Sequence, residues 1–123
     1  MRKSALAHAL EVGQKAAEVG FDWEKPEHAL DKVREEVDEL AECIGQSEEF
    51  EELGDLFFAL VNVARKLNID PDAALDAATT KFQRRFEFVV KRAKDAGKEP
   101  NDFSLDVLEG FWQEAKAREL DYP

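Results

Sequence analysis

One cysteine, two histidines and a shortage of positive charge limit what this 123-residue chain can do. Cys43 has no partner for an internal disulfide, and no basic-then-apolar leader precedes the first amphipathic segment, so a reducing cytoplasm is the expected compartment. His8 and His28 do not make the Glu-x-x-His pairs that a carboxylate-bridged di-iron bundle requires. Only 17 Lys and Arg stand against 28 Asp and Glu, a net charge of -11, which argues against a nucleic-acid backbone or an anionic membrane as the main partner. No apolar run approaches membrane-spanning length. The longest, Leu56 to Val61, is interrupted at Asn62 and reads as a helix buried on more than one side. Alternating strand patterns, low-complexity stretches and internal repeats are missing as well.

What is present is helical periodicity from end to end, and it predicts an all-α bundle of about five helices in a single domain, residues 1–123. A first amphipathic segment over 3–19 stops at Gly20, and Phe21-Asp22-Trp23 makes a short aromatic connection. Pro26 suits the first turn of a second helix whose apolar stripe is Leu30, Val33, Val37, Leu40 and Ile44, with Gly45 as its C-terminal cap. Ser47 followed by Glu48 and Glu49 reads as the start of a third helix carrying Leu53, Leu56, Phe57, Leu60, Ala64 and Leu67. Asp70-Pro71 opens a long fourth helix that ends near Gly97. A loop follows to Asp102, and Ser104 caps the last helix. A chain of this size buries only a modest core, so an obligate or stable oligomer is expected.

Two acidic clusters lie on either side of the hairpin between the second and third helices: Glu35-Glu36-Val37-Asp38-Glu39 and Glu52-Leu53-Gly54-Asp55. If the helices turn near Gly45-Gln46, Glu39 faces Glu52 and Glu36 faces Asp55, because each pair is equally far from the turn. At about 100° per residue, Glu36 and Glu39 fall roughly 60° and 120° from the middle of their helix's apolar stripe, while Glu52 and Asp55 fall roughly 100° and 160° from theirs. Each helix thus has an acidic flank at i and i+3, a spacing that lets two side chains reach one ion. Four converging carboxylates repel one another unless a cation neutralises them, and an all-oxygen donor set favours Mg²⁺ or Mn²⁺. Glu35 adds a carboxylate that can support the shell or accept a proton from water. Asp38, Glu42, Glu48 and Glu49 read as ordinary solvated acids.

Lys81 and Arg85 fall one turn apart on one flank of the fourth helix, beside a stripe expected to be buried through Phe82 and Phe86. That spacing suits a bridging anion, with Arg85 binding through its fork; two ordinary salt bridges would explain it equally well. Trp112 and Lys116 repeat the i,i+4 relation, and the ring is either core or a platform for a base. Asn62 interrupts a strongly apolar helix two turns after Asp55, where it either bonds a ligand or is satisfied by a neighbouring helix.

Taken in order, Glu35-Glu36-x-x-Glu39, Glu52-x-x-Asp55, the Lys81-Phe82-Gln83-Arg84-Arg85-Phe86 block and the Trp112/Lys116 tail, together with Gly20-Phe21-Asp22-Trp23, resemble the all-alpha nucleoside triphosphate pyrophosphohydrolases of the MazG type. The resemblance runs from about Val19 to Glu119 and is nearest to the catalytic C-terminal unit of the two-unit bacterial enzymes. Gln83 departs from the pattern where an acidic residue is frequent. The resemblance implies hydrolysis of nucleoside or deoxynucleoside triphosphates to the monophosphate and pyrophosphate, in nucleotide-pool house-cleaning or in alarmone control, by a homodimer or higher oligomer whose copies complete a four-helix core, which the apolar face of residues 56–64 suits. Glu36, Glu39, Glu52 and Asp55 would then hold Mg²⁺, Lys81, Arg85, Trp112 and Lys116 would contact substrate, and Glu35 would match the first motif acid. No residue declares a base-specific code. The competing reading is a non-catalytic helical dimer that binds nucleotides or a protein, its acids only solvating it.

Overall fold

The computed structural model describes residues 2–120 and is all-helical among them. Five α-helices follow one another: α1 (Ala5–Glu18), α2 (Pro26–Cys43), α3 (Glu49–Lys66), α4 (Pro71–Asp95) and α5 (Leu105–Leu120), with a 3-10 turn at Pro100–Asp102 before the last. The chain divides between Leu75 and Asp76 into two compact units. In the first unit, α2 and α1 both pack along α3.

Local chemistry sets the ends of each helix. Ser4 caps α1 by accepting the Ala7 N–H at 3.0 Å. At the other end Gly20, at φ +90°, lets the Gly20 and Phe21 amides turn back onto the carbonyls of Ala17 and Ala16, each at 3.0 Å. Pro26 occupies the first turn of α2. Gly45 makes the tight turn towards α3 at φ +83°, and its N–H donates to Glu49 Oε2 at 2.9 Å. Ser47 does not cap α3. The residue before that helix is Glu48, already in a helical conformation and without a side-chain cap, so Glu49 does the turn's work from inside the helix. Asn68, a non-glycine residue at φ +56°, closes α3 as the Ile69 amide donates to Ala64 O at 2.9 Å. Asp70 and Ser104 start α4 and α5 as expected, accepting from the amides of Asp72 (3.0 Å) and Val107 (3.3 Å). The expected loop after α4 contains the 3-10 turn, closed by Asp102 Oδ2 accepting the Glu99 N–H.

The helices are rotated from the setting their apolar stripes suggest. In α2 the buried line runs Ala29, Val33, Glu36 and Cys43, whereas Leu30, Val37 and Ile44 are exposed. In α3 the buried residues are Ala59, Val61 and Asn62, while Leu53, Phe57 and Leu60 are each more than two-fifths exposed. The reading of Leu56–Val61 as buried on several sides is therefore wrong for one chain, in which one face packs and the opposite apolar face is open. Of the line expected along α4 through Phe82, Phe86, Val89 and Ala93, only Val89 and Ala93 are buried, while Phe82 and Phe86 are about half exposed. These helices carry apolar residues around more than half their circumference, so averaging them places the stripe between two real faces.

Candidate active site

The rotation of α2 brings Glu36 into the packed face, where only 5% of it remains exposed. Across the hairpin, one carboxylate oxygen from each of Glu36, Glu39 and Glu52 comes within 4.8 Å of the others. The convergence follows from two antiparallel helices joined by a five-residue turn, which sets Glu39 and Glu52 at matching heights. Asp55, one turn beyond Glu52, is exposed and stands outside this group of three.

The electrostatics of the trio are unfavourable as it stands. Glu36 Oε1 is paired with Lys32 Nζ at 3.0 Å, but Glu36 Oε2 and Glu52 Oε2 are buried and accept no hydrogen bond. Buried carboxylate oxygens without partners lose their hydration with nothing in return. The Glu39 carboxyl responds: the charge of Glu36 first, then burial, push it up to about 7, since a proton on Glu39 can be shared with the Glu36 and Glu52 carboxylates. Such a donor set, hard, anionic and undercoordinated, fits a divalent cation with oxygen ligands. The same Lys32 ammonium lies 3.6 Å from Glu35, which is otherwise open to solvent. The hydrogen bond to Glu36 raises the Lys32 pKa. Lys32 went unnoticed in the sequence although its i,i+4 spacing to Glu36 was available as a signal.

A second network, also unforeseen, ties the connection between α1 and α2 to the end of α3. Arg65 grips Asp22 with two hydrogen bonds, at 2.6 and 3.1 Å, and Lys66 adds a third at 3.1 Å. These bonds, led by that of Arg65, hold the Asp22 carboxyl well below the usual carboxylate range. The remaining guanidinium donor, Nε, reaches Asn62 Oδ1 at 3.2 Å. Asn62 is 4% exposed and lines a cleft of about 450 Å³ with Val12, Gly13, Phe21, Trp23 and Phe58.

The second unit assembles the remaining predicted residues in part. Arg85 bonds Glu119 through Nε at 3.0 Å and stands over the Trp112 ring at 5.6 Å, and Trp112 packs against Phe82 at 5.0 Å. Glu119, held ionised chiefly by Arg85, also pairs with Arg84 at 3.2 Å. Of the two expected alternatives for Arg85, the structure shows the salt bridge, and the same guanidinium also stands beside an aromatic ring. Lys81 and Lys116 are exposed and make no ion pair among the described residues.

Comparison with known proteins agrees with the motifs. The MazG nucleotide pyrophosphohydrolase domain matches residues 24–90. The nucleoside triphosphate pyrophosphohydrolase/pyrophosphatase MazG of Thermotoga maritima is 39% identical over 112 residues, 91% of this chain and 44% of that protein. The nucleoside triphosphate pyrophosphohydrolase of Escherichia coli is 38% identical over 122 residues, 95% of this chain and 46% of its own length. Protein YabN of Bacillus subtilis, itself uncharacterised, is 47% identical over 68 residues. The chain spans less than half the length of the first two. With its all-helical fold and the meeting of Glu36, Glu39 and Glu52 across one hairpin, this chain belongs to the MazG nucleotide pyrophosphohydrolase domain family.

Proposed function

We propose that the chain hydrolyses nucleoside or deoxynucleoside triphosphates to the monophosphate and pyrophosphate, with Mg²⁺ (or Mn²⁺) held by Glu36, Glu39, Glu52 and Asp55. The observation that carries this reading is the carboxylate trio with two buried oxygens lacking partners. Asp55 joins as the fourth ligand from the flank of α3 that already carries Glu52. When bound, the ion supplies Lewis-acid charge to the phosphate oxygens and the attacking water.

The chain's own groups do the rest. Glu35, open to solvent and outside the trio, takes the proton from water as its oxygen attacks the α-phosphorus. The bond from that phosphorus to the bridging oxygen breaks, and pyrophosphate leaves with the negative charge. Lys81, Arg85 and Lys116 meet that charge, and Trp112 contacts substrate, assignments that rest on their match to the family motifs. Asn62 bonds the nucleoside. Residues 1–123 act as one domain in a homodimer or higher oligomer that covers the open face of Leu53, Phe57 and Leu60. Its setting is cytoplasmic and its role the removal of unwanted nucleotides.

Glu39→Gln keeps the shape of the site and removes one anionic ligand. It should lower pyrophosphate release by at least about a hundredfold with helicity by circular dichroism unchanged. Full activity in that variant, or absence of both Mg²⁺ binding by calorimetry and turnover in the parent protein, would leave only a non-catalytic helical module.

A further inference from the structure

We propose that the cleft between α1, the Phe21–Trp23 connection and α3 is a nucleobase site, and that Asn62 makes it selective for a base bearing a keto group. The identity of the ligand rests on the nucleotide-hydrolase reading above; the selectivity rests on the cleft itself.

The cleft, about 450 Å³, falls in the size range of small-ligand sites. Its walls include the rings of Phe21, Trp23 and Phe58, faces on which a flat heteroaromatic ring can stack. Asn62 is its polar feature of consequence, because the other polar groups are already committed. Asp22 receives two bonds from Arg65 and one from Lys66, and all three nitrogens of the Arg65 guanidinium are occupied.

Arg65 also fixes which way the Asn62 amide faces. Its Nε–H can only donate, so the atom it meets at 3.2 Å must be the amide oxygen. The amide nitrogen, Nδ2, is left without a partner among the described residues; it is not one of the fully buried unpaired atoms, so within a residue that is only 4% exposed it keeps its contact with solvent at the cleft that Asn62 lines. A donor N–H₂ without a protein partner at the wall of a cleft would be answered by a carbonyl oxygen on a stacked ring. An exocyclic amino group at the same position would set donor against donor. Adenine-type and hypoxanthine-type rings share a shape and differ at the 6-substituent and at N1, an acceptor in adenine and an N–H donor in hypoxanthine, so a donor set against the 6-position rather than N1 should tell them apart. Asn62 lies seven residues beyond Asp55 on the same flank of α3, two turns or about 10 Å, a span that a nucleoside 5′-phosphate can bridge.

Gly13 completes the arrangement. It is buried in the middle of α1, where glycine weakens a helix, and a Cβ there would stand 2.5 Å from Asn62 Oδ1. Its missing side chain is what allows Asn62 and Arg65 to keep their pairing against α1.

The test measures binding of inosine and adenosine, which lack phosphate, by calorimetry on the full chain and on Asn62→Leu. The parent should bind inosine about tenfold more tightly, the worth of one good hydrogen bond against none, and Asn62→Leu should bind both equally and weakly. Gly13→Ala, which adds helix propensity while displacing Asn62, should remove the preference too, and it serves if Asn62→Leu does not fold. Equal affinity in the parent, a preference that survives in either variant, or no nucleoside binding at millimolar concentration would overturn the proposal. Pyrophosphate release from triphosphates by the parent protein reports the hydrolase reading separately. An active enzyme that fails the nucleoside test loses the base site alone, and an inactive chain that passes it loses the hydrolase reading alone.

Discussion

Lys32 reaches across one turn of α2 to place Nζ 3.0 Å from Glu36 Oε1, while Oε2 of the same buried carboxylate has no partner. The lysine is a built-in monovalent substitute for a stronger cation. It neutralises one oxygen of Glu36 and leaves the remaining trio charge uncompensated.

Removing it should therefore cost more stability without metal than with it. Lys32→Met keeps the aliphatic stem and deletes the ammonium, so without divalent ions the chain should melt lower, by about 4 °C for the loss of roughly 1 kcal/mol. Saturating Mg²⁺ should recover most of that loss, giving a larger metal-induced rise than in the parent. Thermal melts at matched pH, with Mg²⁺ and with chelator, measure both. Identical metal-induced shifts in the two proteins would show that Lys32 and the ion do not share a site.

Proton and metal compete for Glu39 in the same way. Its folded value of about 7 lies above the ordinary 4.5, so the folded chain holds the extra proton between those limits. The stability linked to that proton is complete below pH 4.5 and is lost as pH rises through 7. Metal-free protein should lose melting temperature between pH 5 and about 7.5 on this account, and the rise produced by Mg²⁺ should grow over the same interval and then level off. A Mg²⁺ shift independent of pH from 5.5 to 8 would remove Glu39 from the ligand set.

The parts of this architecture that were legible in the sequence are those set within a few residues. Gly20, Gly45, Pro26, Pro71 and Asp70 act on their own turns, so helix ends fell within a residue or two of expectation. The meeting of Glu36, Glu39 and Glu52 needed only the helix repeat and one short turn. Rotation about the helix axis was less accessible. Leu53, Phe57 and Leu60 are as apolar as the residues that pack, and nothing in the pattern tells an intrachain face from one left open. The clasp of Asp22 by Arg65, 43 residues apart, has no periodicity to betray it, and neither has the bond that turns Asn62. Asp55 shows the limit of the mirror argument, for it is equally far from the turn as Glu36 and yet lies outside the trio.

The basic residues of α4 differ in how they are held, and that difference separates their expected effects. Arg85 is fixed by Glu119 and Trp112, whereas Lys81 is exposed without an ion pair among the described residues. If both contact the distal phosphates, Lys81→Ala and Arg85→Ala should each weaken a non-hydrolysable triphosphate by about tenfold and the matching monophosphate far less. Lys81→Ala should leave the melting temperature unchanged, since it breaks nothing in the fold. Arg85→Ala also frees Glu119 and uncovers one face of Trp112, so it should cost about 1 kcal/mol of stability besides. Calorimetric titration of the two nucleotides into each variant, with a melt of the free protein, resolves these effects. Equal losses for triphosphate and monophosphate would contradict the assignment of Lys81 and Arg85 to the leaving pyrophosphate, whatever happens to stability.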